Sequence, residues 1–177
     1  MRRASAIVGI LCAFGVLVAG CSGSSASPPP GSAPAKVWLE ASNTNPTPGE
    51  EITVDIMVQG AENLYGIAAD LVYDKTVLRY KSASEGTLLK ADGAETVFAA
   101  ALQDGEEGRL VLGLSRTRTE VGYAGDGLSH VSQSVTFDVI GAAGVGAEVN
   151  LDRLALKDAN LHDLGFAPGS PVNVAVR

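Results

Sequence analysis

Five short constellations in this chain contain residue types that do chemistry. The stretch "GLSRT" sets Ser115 after a glycine, as a nucleophile elbow would. That motif needs a second glycine and a sharp strand-to-helix turn, whereas Ser115 sits inside an alternating apolar run. His130 and His162 are the two histidines; the first falls on the polar side of a strand pattern, the second in a loop, and neither has a neighbour in sequence that would make it a base or ligand. Glu106 and Glu107 are adjacent acids in a hairpin-like "DGEEG" and are read as solvated. "DANLHD", Asp158 to Asp163, alternates oxygen-bearing side chains as the start of a calcium loop does, but it has no central glycine and reaches Gly169 where an EF-hand needs glutamate. An Asx-stabilised turn accounts for it better. Trp38 is the single tryptophan. With Val37 and Leu39 pointing inward it faces out, where an indole can stack on a sugar ring, although a polysaccharide strip needs several aromatics on one face. No catalytic residue, metal site or cofactor is assigned.

The chain has 177 residues, with 13 Lys and Arg against 20 Asp and Glu, and a net charge of −7. Such an acidic balance argues against nucleic acid as a partner. Arg2 and Arg3 precede an apolar run, Ala6 to Ala19, too short to span a membrane stably. Residues 1–20 are therefore expected to be a signal peptide, and "LVAGC" resembles the lipobox of bacterial lipoproteins, with Cys21 as the lipidated first residue. The expected location is the cell envelope, on an outer membrane or cell surface, because Ser22 stands where inner-membrane retention favours aspartate. Cys12 is discarded with the leader, leaving no partner for an intrachain disulfide. Residues 21–34 are rich in Ser, Gly and Pro and uncharged to Pro34, a tether. Residues 35–177 form the folded domain, large enough for a core of its own.

Within that domain the apolar period is two. "EITVDIMVQ" puts Ile52, Val54, Ile56 and Val58 on one face, and "SHVSQSVTFDV" groups Val131, Val135, Phe137 and Val139 against His130, Ser132, Ser134, Thr136 and Asp138. "KVWLEAS", "YGIAADLVY", "VLRYKSA", "TVFAAALQ", "RLVLGLSR", "EVNLDRLAL" and "VNVAV" are further strands, separated by turn sequences such as "TPGE" and "GDG". "GTLLKAD" has room for one helical turn. Nine short strands without intervening helices predict an all-β fold, a two-sheet sandwich.

The order of these segments resembles the cohesin modules of bacterial polysaccharide-degrading assemblies. The matching pieces are "NPTPGEEITVDIMVQG", "NLYGIAADLVYDKTVLRYKSASEGTLL", "RLVLGLSRT", "GYAGDG", "SQSVTFDV" and "EVNLDRLALKDANLHDLGFAPGSPVNV". The resemblance implies a nine-stranded jelly-roll sandwich and a scaffolding role without catalysis. It also implies a protein partner bearing a dockerin, a module that needs calcium of its own, bound through a flat sheet face.

The strand "YGIAADLVY" gives that face a candidate composition. With Ile67, Ala69, Leu71 and Tyr73 inside, Gly66, Ala68, Asp70 and Val72 point out. "TVFAAALQ" turns out Val97, Ala99 and Ala101, and "RLVLGLSR" turns out Arg109, Val111, Gly113 and Ser115. If the three strands share a sheet, as they do in the family, their outer sides form a flat surface of small apolar groups, the mark of an interaction site. Dockerin-binding relatives commonly carry Asn and Asp where this chain has Gly66 and Ala68. Three readings stay open: docking of a protein partner; cover by the chain's own loop Thr117–Gly127 or self-association through a second copy in the envelope; and a carbohydrate-binding module that contacts polysaccharide through Trp38.

Overall fold

Strict alternation in "EITVDIMVQ" makes a half-buried strand the only conformation that hides all four aliphatic side chains and wets the rest, and Ile52, Val54, Ile56 and Val58 are indeed 1 % exposed or less. The computed structural model describes residues 34–103, 108–117 and 121–177. The leader, Cys21, the tether up to residue 33, and Glu106 and Glu107 lie outside the described residues.

Ten strands follow in order: β1 (Ala35–Ala41), β2 (Glu51–Gln59), β3 (Gly66–Tyr73), β4 (Leu78–Glu85), β5 (Thr96–Leu102), β6 (Arg109–Arg116), β7 (Ser129–Val139), β8 (Gly146–Lys157), β9 (Phe166–Pro168) and β10 (Val172–Ala175). One 3-10 turn, Leu88–Lys90, occupies the segment expected to hold a helical turn. The strands form two five-stranded sheets, ordered β4-β7-β2-β1-β9 and β10-β8-β3-β6-β5. The expected all-β sandwich is thus present with one strand more than the nine expected. The addition is β9, whose three residues run parallel to β1. It is too short to alternate, and Pro168 ends it.

The core lies between the sheets. Val54, Val58, Val135 and Phe137 from one layer meet Leu71, Leu110, Leu112 and Val149 from the other. Each fully buried side chain of this size contributes about 1.5–3 kcal/mol of transfer free energy. Tyr73 tilts against Phe137 across the layers with ring centroids 4.8 Å apart.

Strand β7 departs from the simple alternation. Ile56 pairs with Gln133 but Met57 pairs with Val131, so Ser132 is an extra residue in the ladder. The bulge reverses the faces before it. Val131, expected inside, lies beside Met57 on the outer surface, and His130, expected outside, lies opposite the buried Val58. Gln133 and Ser132 are fully buried instead. Gly86 makes this possible by donating its N–H to Ser132 O at 2.8 Å; a Cβ there would stand 2.1 Å from Val131 O.

Candidate partner-docking face

Strand β3 holds its inward set as its sequence requires: Ile67, Ala69, Leu71 and Tyr73 are 8 % exposed or less. Its outward set meets β6 on one side and β8 on the other, and β6 meets β5, so the three strands of the expected face do share one sheet. The registers build rows across it. Ala155, Ala68, Gly113 and Ala99 form one row of four small residues. Lys157, Gly66, Ser115 and Val97 form the next, and Asp152, Asp70, Val111 and Ala101 the third. Neighbouring strands lie about 4.8 Å apart, so each row is a nearly level line about 14 Å long.

Ala68, Val97, Ala99, Ala101 and Val111 are exposed, with Val97 at 58 % and Val111 at 41 %. Gly66, Val72, Gly113 and Ser115 are half-buried by their neighbours. A Cβ added to Gly113 would meet nothing within 4 Å, so the middle of the face is open. A shallow concavity of about 340 Å³ lies over Gly66, Ala68, Gly113, Val97 and Ala99.

Asp70 corrects the expected surface. Its side chain does point outward, but it is covered rather than presented. Arg109 Nη1 donates to Asp70 Oδ2 at 2.8 Å and also to Asp152 Oδ2 at 2.8 Å, while Arg153 Nη2 lies 2.6 Å from Asp70. Two carboxylates and two guanidiniums thereby neutralise one end of the face, and Asp70 is 7 % exposed. Arg153 reaches this position because β8 bulges there: Ala68 pairs with Ala155 but Asp70 pairs with Asp152, and Arg153 takes φ +45°. Arg109 holds the Asp152 carboxyl below its usual range, helped by the N–H of Arg153.

The opposite end carries Leu161, which the sequence pattern did not mark. It borders the concavity beside Tyr65 and Lys157 and is 69 % exposed, at φ +64°. The turn beneath it explains its position. Asp158 Oδ1 accepts from the N–H groups of Asn160 and His162, both at 2.8 Å, as an Asx-type turn requires. Burial pushes the Asp158 carboxyl up, but these donors outweigh it and the group titrates below its usual range. Spacing of polar residues betrayed the turn; nothing in the spacing showed that Leu161 would sit on its crest.

The other candidates separate in space. Ser115 Oγ donates to the main-chain oxygen of Arg116. His130 Nε2 lies 2.8 Å from Asp126 Oδ2 and 3.2 Å from the Tyr123 hydroxyl, and His162 lies by Asp158. Among the described residues no group of three or more His, Cys, Asp and Glu side chains is placed to hold a metal. Trp38 is half-buried on the outside of the other sheet, where its indole N–H donates to Glu40 Oε1 at 2.8 Å. Gly169 packs so closely on it that a Cβ would stand 2.4 Å from the Trp38 Cβ. The segment after residue 120 does not cover the face. Tyr123 pairs with Leu64, Gly122 N–H donates to Asn63 Oδ1, and Asp126 turns to His130.

Comparison with known proteins agrees with this architecture. The cohesin domain family model matches residues 37–165. Among solved structures, a non-cellulosomal cohesin from the archaeon Archaeoglobus fulgidus is 16 % identical with a TM-score of 0.64, covering 82 % of this chain and 92 % of that one. The sixth cohesin of scaffoldin B from Acetivibrio cellulolyticus, solved in complex with a mutant Cel5 dockerin, is 18 % identical with a TM-score of 0.64, covering 82 % of this chain and 100 % of that one. A type II cohesin domain from the cellulosome of the same organism is 18 % identical with a TM-score of 0.63, covering 80 % and 95 %. No curated protein matches the chain. Cohesin domains are non-catalytic modules for binding other proteins. The family match over most of the folded residues, on a sandwich with this strand order, establishes that the chain belongs to the cohesin family and is a binding module, not an enzyme.

Proposed function

We infer that this cohesin docks a dockerin-bearing protein on the outer face of β8, β3, β6 and β5. The observation that carries this reading is the level row of Ala155, Ala68, Gly113 and Ala99, flanked by exposed Val97 and Val111. Small side chains let a partner helix approach the sheet closely, and removing this apolar surface from water drives association. With glycine and alanine at positions 66 and 68, affinity comes from shape and apolar contact rather than from side-chain hydrogen bonds. The charged groups at the two ends set orientation more than strength. Several similar structures were solved as cohesin–dockerin complexes, which supports the choice of partner.

The sequence adds a location to this reading. Export directed by residues 1–20 and lipidation of Cys21 hold the module at the cell envelope, with residues 21–34 as a tether that gives it reach. Attachment raises the local concentration of whatever the face holds. A tie to polysaccharide breakdown then comes through the docked enzyme rather than through Trp38.

Calorimetric titration with dockerin-bearing proteins from the source organism, calcium present, tests the face. Binding to the wild type is expected to disappear in Ala68→Arg and Gly113→Arg while their folds persist. Binding that survives both variants, or silence of the wild type toward every dockerin, overturns the reading. Labelling with radioactive palmitate tests the anchor, and persistence of the label in Cys21→Ala refutes it.

A further inference from the structure

A sheet edge is a row of unpaired backbone donors and acceptors, and proteins blunt such edges to keep other strands away. Three of the four edges here are blunted. β9 has three residues and ends in Pro168. β4 bulges at Lys81 and carries Arg79, Lys81 and Glu85. The outer side of β10 is already occupied, because Ala175 N–H donates to Thr44 O and Arg177 N–H to Pro46 O.

The fourth edge, β5, has none of these devices. From Thr96 to Leu102 it contains no charge, no proline and no bulge against β6. Gln103 N–H donates to Arg109 O and Thr117 N–H to Glu95 O, which fixes the odd-numbered residues as those bonded to β6. The backbone groups of Phe98, Ala100 and Leu102 therefore point away from the sheet, and among the described residues nothing pairs with them.

We propose that β5 is a self-pairing edge, on which β5 of a second copy of this chain adds antiparallel about a two-fold axis at Ala99. The strand is complementary to itself in that register. Phe98 falls opposite Ala100 of the copy and Thr96 opposite Leu102, so each hydrogen-bonded pair joins a large side chain to a smaller one. Ala99 meets its own copy in the close, non-hydrogen-bonded position, where Cα atoms approach to about 4.5 Å. Because β5 is uncharged, a chain of net charge −7 meets itself here without opposed like charges. The contact is isologous and closes as a dimer. Two five-stranded sheets become one continuous sheet, with both docking faces on the same side and unobstructed.

Cysteine cross-linking in the full chain tests the register. Ala99→Cys places two sulfurs within disulfide range, whereas Val111→Cys on β6 keeps them a whole strand further apart on each side. After mild oxidation, a band of twice the monomer mass is expected for Ala99→Cys at ten times or more the level seen for Val111→Cys or for the wild type, which sets the background. Ala100→Pro removes an N–H that β6 does not use, so in combination with Ala99→Cys it is expected to abolish the band without changing the unfolding midpoint. Ala101→Cys alone should give no band, and together with Val97→Cys should restore it, a readout that needs no proline. Absence of the band in Ala99→Cys, its persistence with Ala100→Pro, or equal bands from Val111→Cys overturns the proposal.

Discussion

Arg109 and Asp70 lie diagonally across the β3–β6 ladder, Arg109 opposite Val72 and Asp70 opposite Val111, near one end of the candidate docking face, and their Nη1 and Oδ2 atoms are 2.8 Å apart. The pair is largely shielded from water, with side-chain exposures of 19 % and 10 %. Replacing Asp70 by Asn leaves Arg109 and Arg153 facing each other with weaker acceptors. We expect a loss of about 1.5–3 kcal/mol, the range for hydrogen bonds to charged groups. Urea unfolding of the variant measures it, and a loss below 0.5 kcal/mol, the usual scatter of about that size for surface changes, would show that the cluster is ornamental.

Acid should weaken the fold through its paired carboxylates. The Arg116 guanidinium holds the Asp92 carboxyl below its usual 3.8, donating at 2.7 and 2.8 Å, and the Leu128 N–H lowers Asp126 in the same way. A group whose folded value is depressed binds fewer protons in the native state than in the unfolded one. Its contribution is complete above the unfolded value and is lost as pH falls through the folded one. Stability is therefore expected to be level above about pH 5 and to fall steeply below about pH 4. Asp92→Asn should flatten that acid limb; an unchanged slope would refute the assignment.

Gln133 is buried in the core, and neither its amide nitrogen nor its amide oxygen has a hydrogen-bond partner among the described residues. A buried amide without partners costs about 1–3 kcal/mol. Gln133→Met keeps the length of the side chain and removes both polar atoms, so the denaturation midpoint should rise. A fall would mean that the amide is satisfied in solution.

Two glycines should respond very differently to one methyl group. At Gly86 the new Cβ meets the carbonyl of Val131, which the β7 bulge cannot easily withdraw, and Gly86→Ala is expected to cost about 3 kcal/mol, the upper part of the overpacking range. At Gly113 the Cβ meets open space, so Gly113→Ala should change stability by about 0.5 kcal/mol or less. Comparing the two thermal midpoints decides whether glycine serves the fold or the face at each position.

Much of this architecture is written in the period of the apolar residues, because a strand covered on one face admits only alternation. The inward residues of β2 and β3 fall as their spacing requires, and so do the outward small residues of β3, β5 and β6. What the spacing conceals is the extra residue. One insertion at Ser132 exchanges the faces of His130 and Val131, and another at Arg153 swings a guanidinium over Asp70. Both insertions depend on partners distant in sequence: Gly86 makes room for the first, and the pairing of Asp70 with Asp152 sets the second. Leu161 stayed hidden for a related reason, since its exposure follows from a turn whose hydrogen bonds, not its composition, determine where the crest points.

The alternation along β3 also bears on how such a module changes over generations. Along β3, residues that build the core and residues that form the candidate docking face interleave one by one, so no part of this strand serves either surface alone. An exchange at position 66, 68 or 72 changes the outer surface while Ile67, Ala69 and Leu71 keep the sandwich closed. A lineage can therefore remodel this surface through single steps, each of them a folded protein. Position 70 is the exception: its two arginines would have to change with it, which makes that end of the face the slowest to drift.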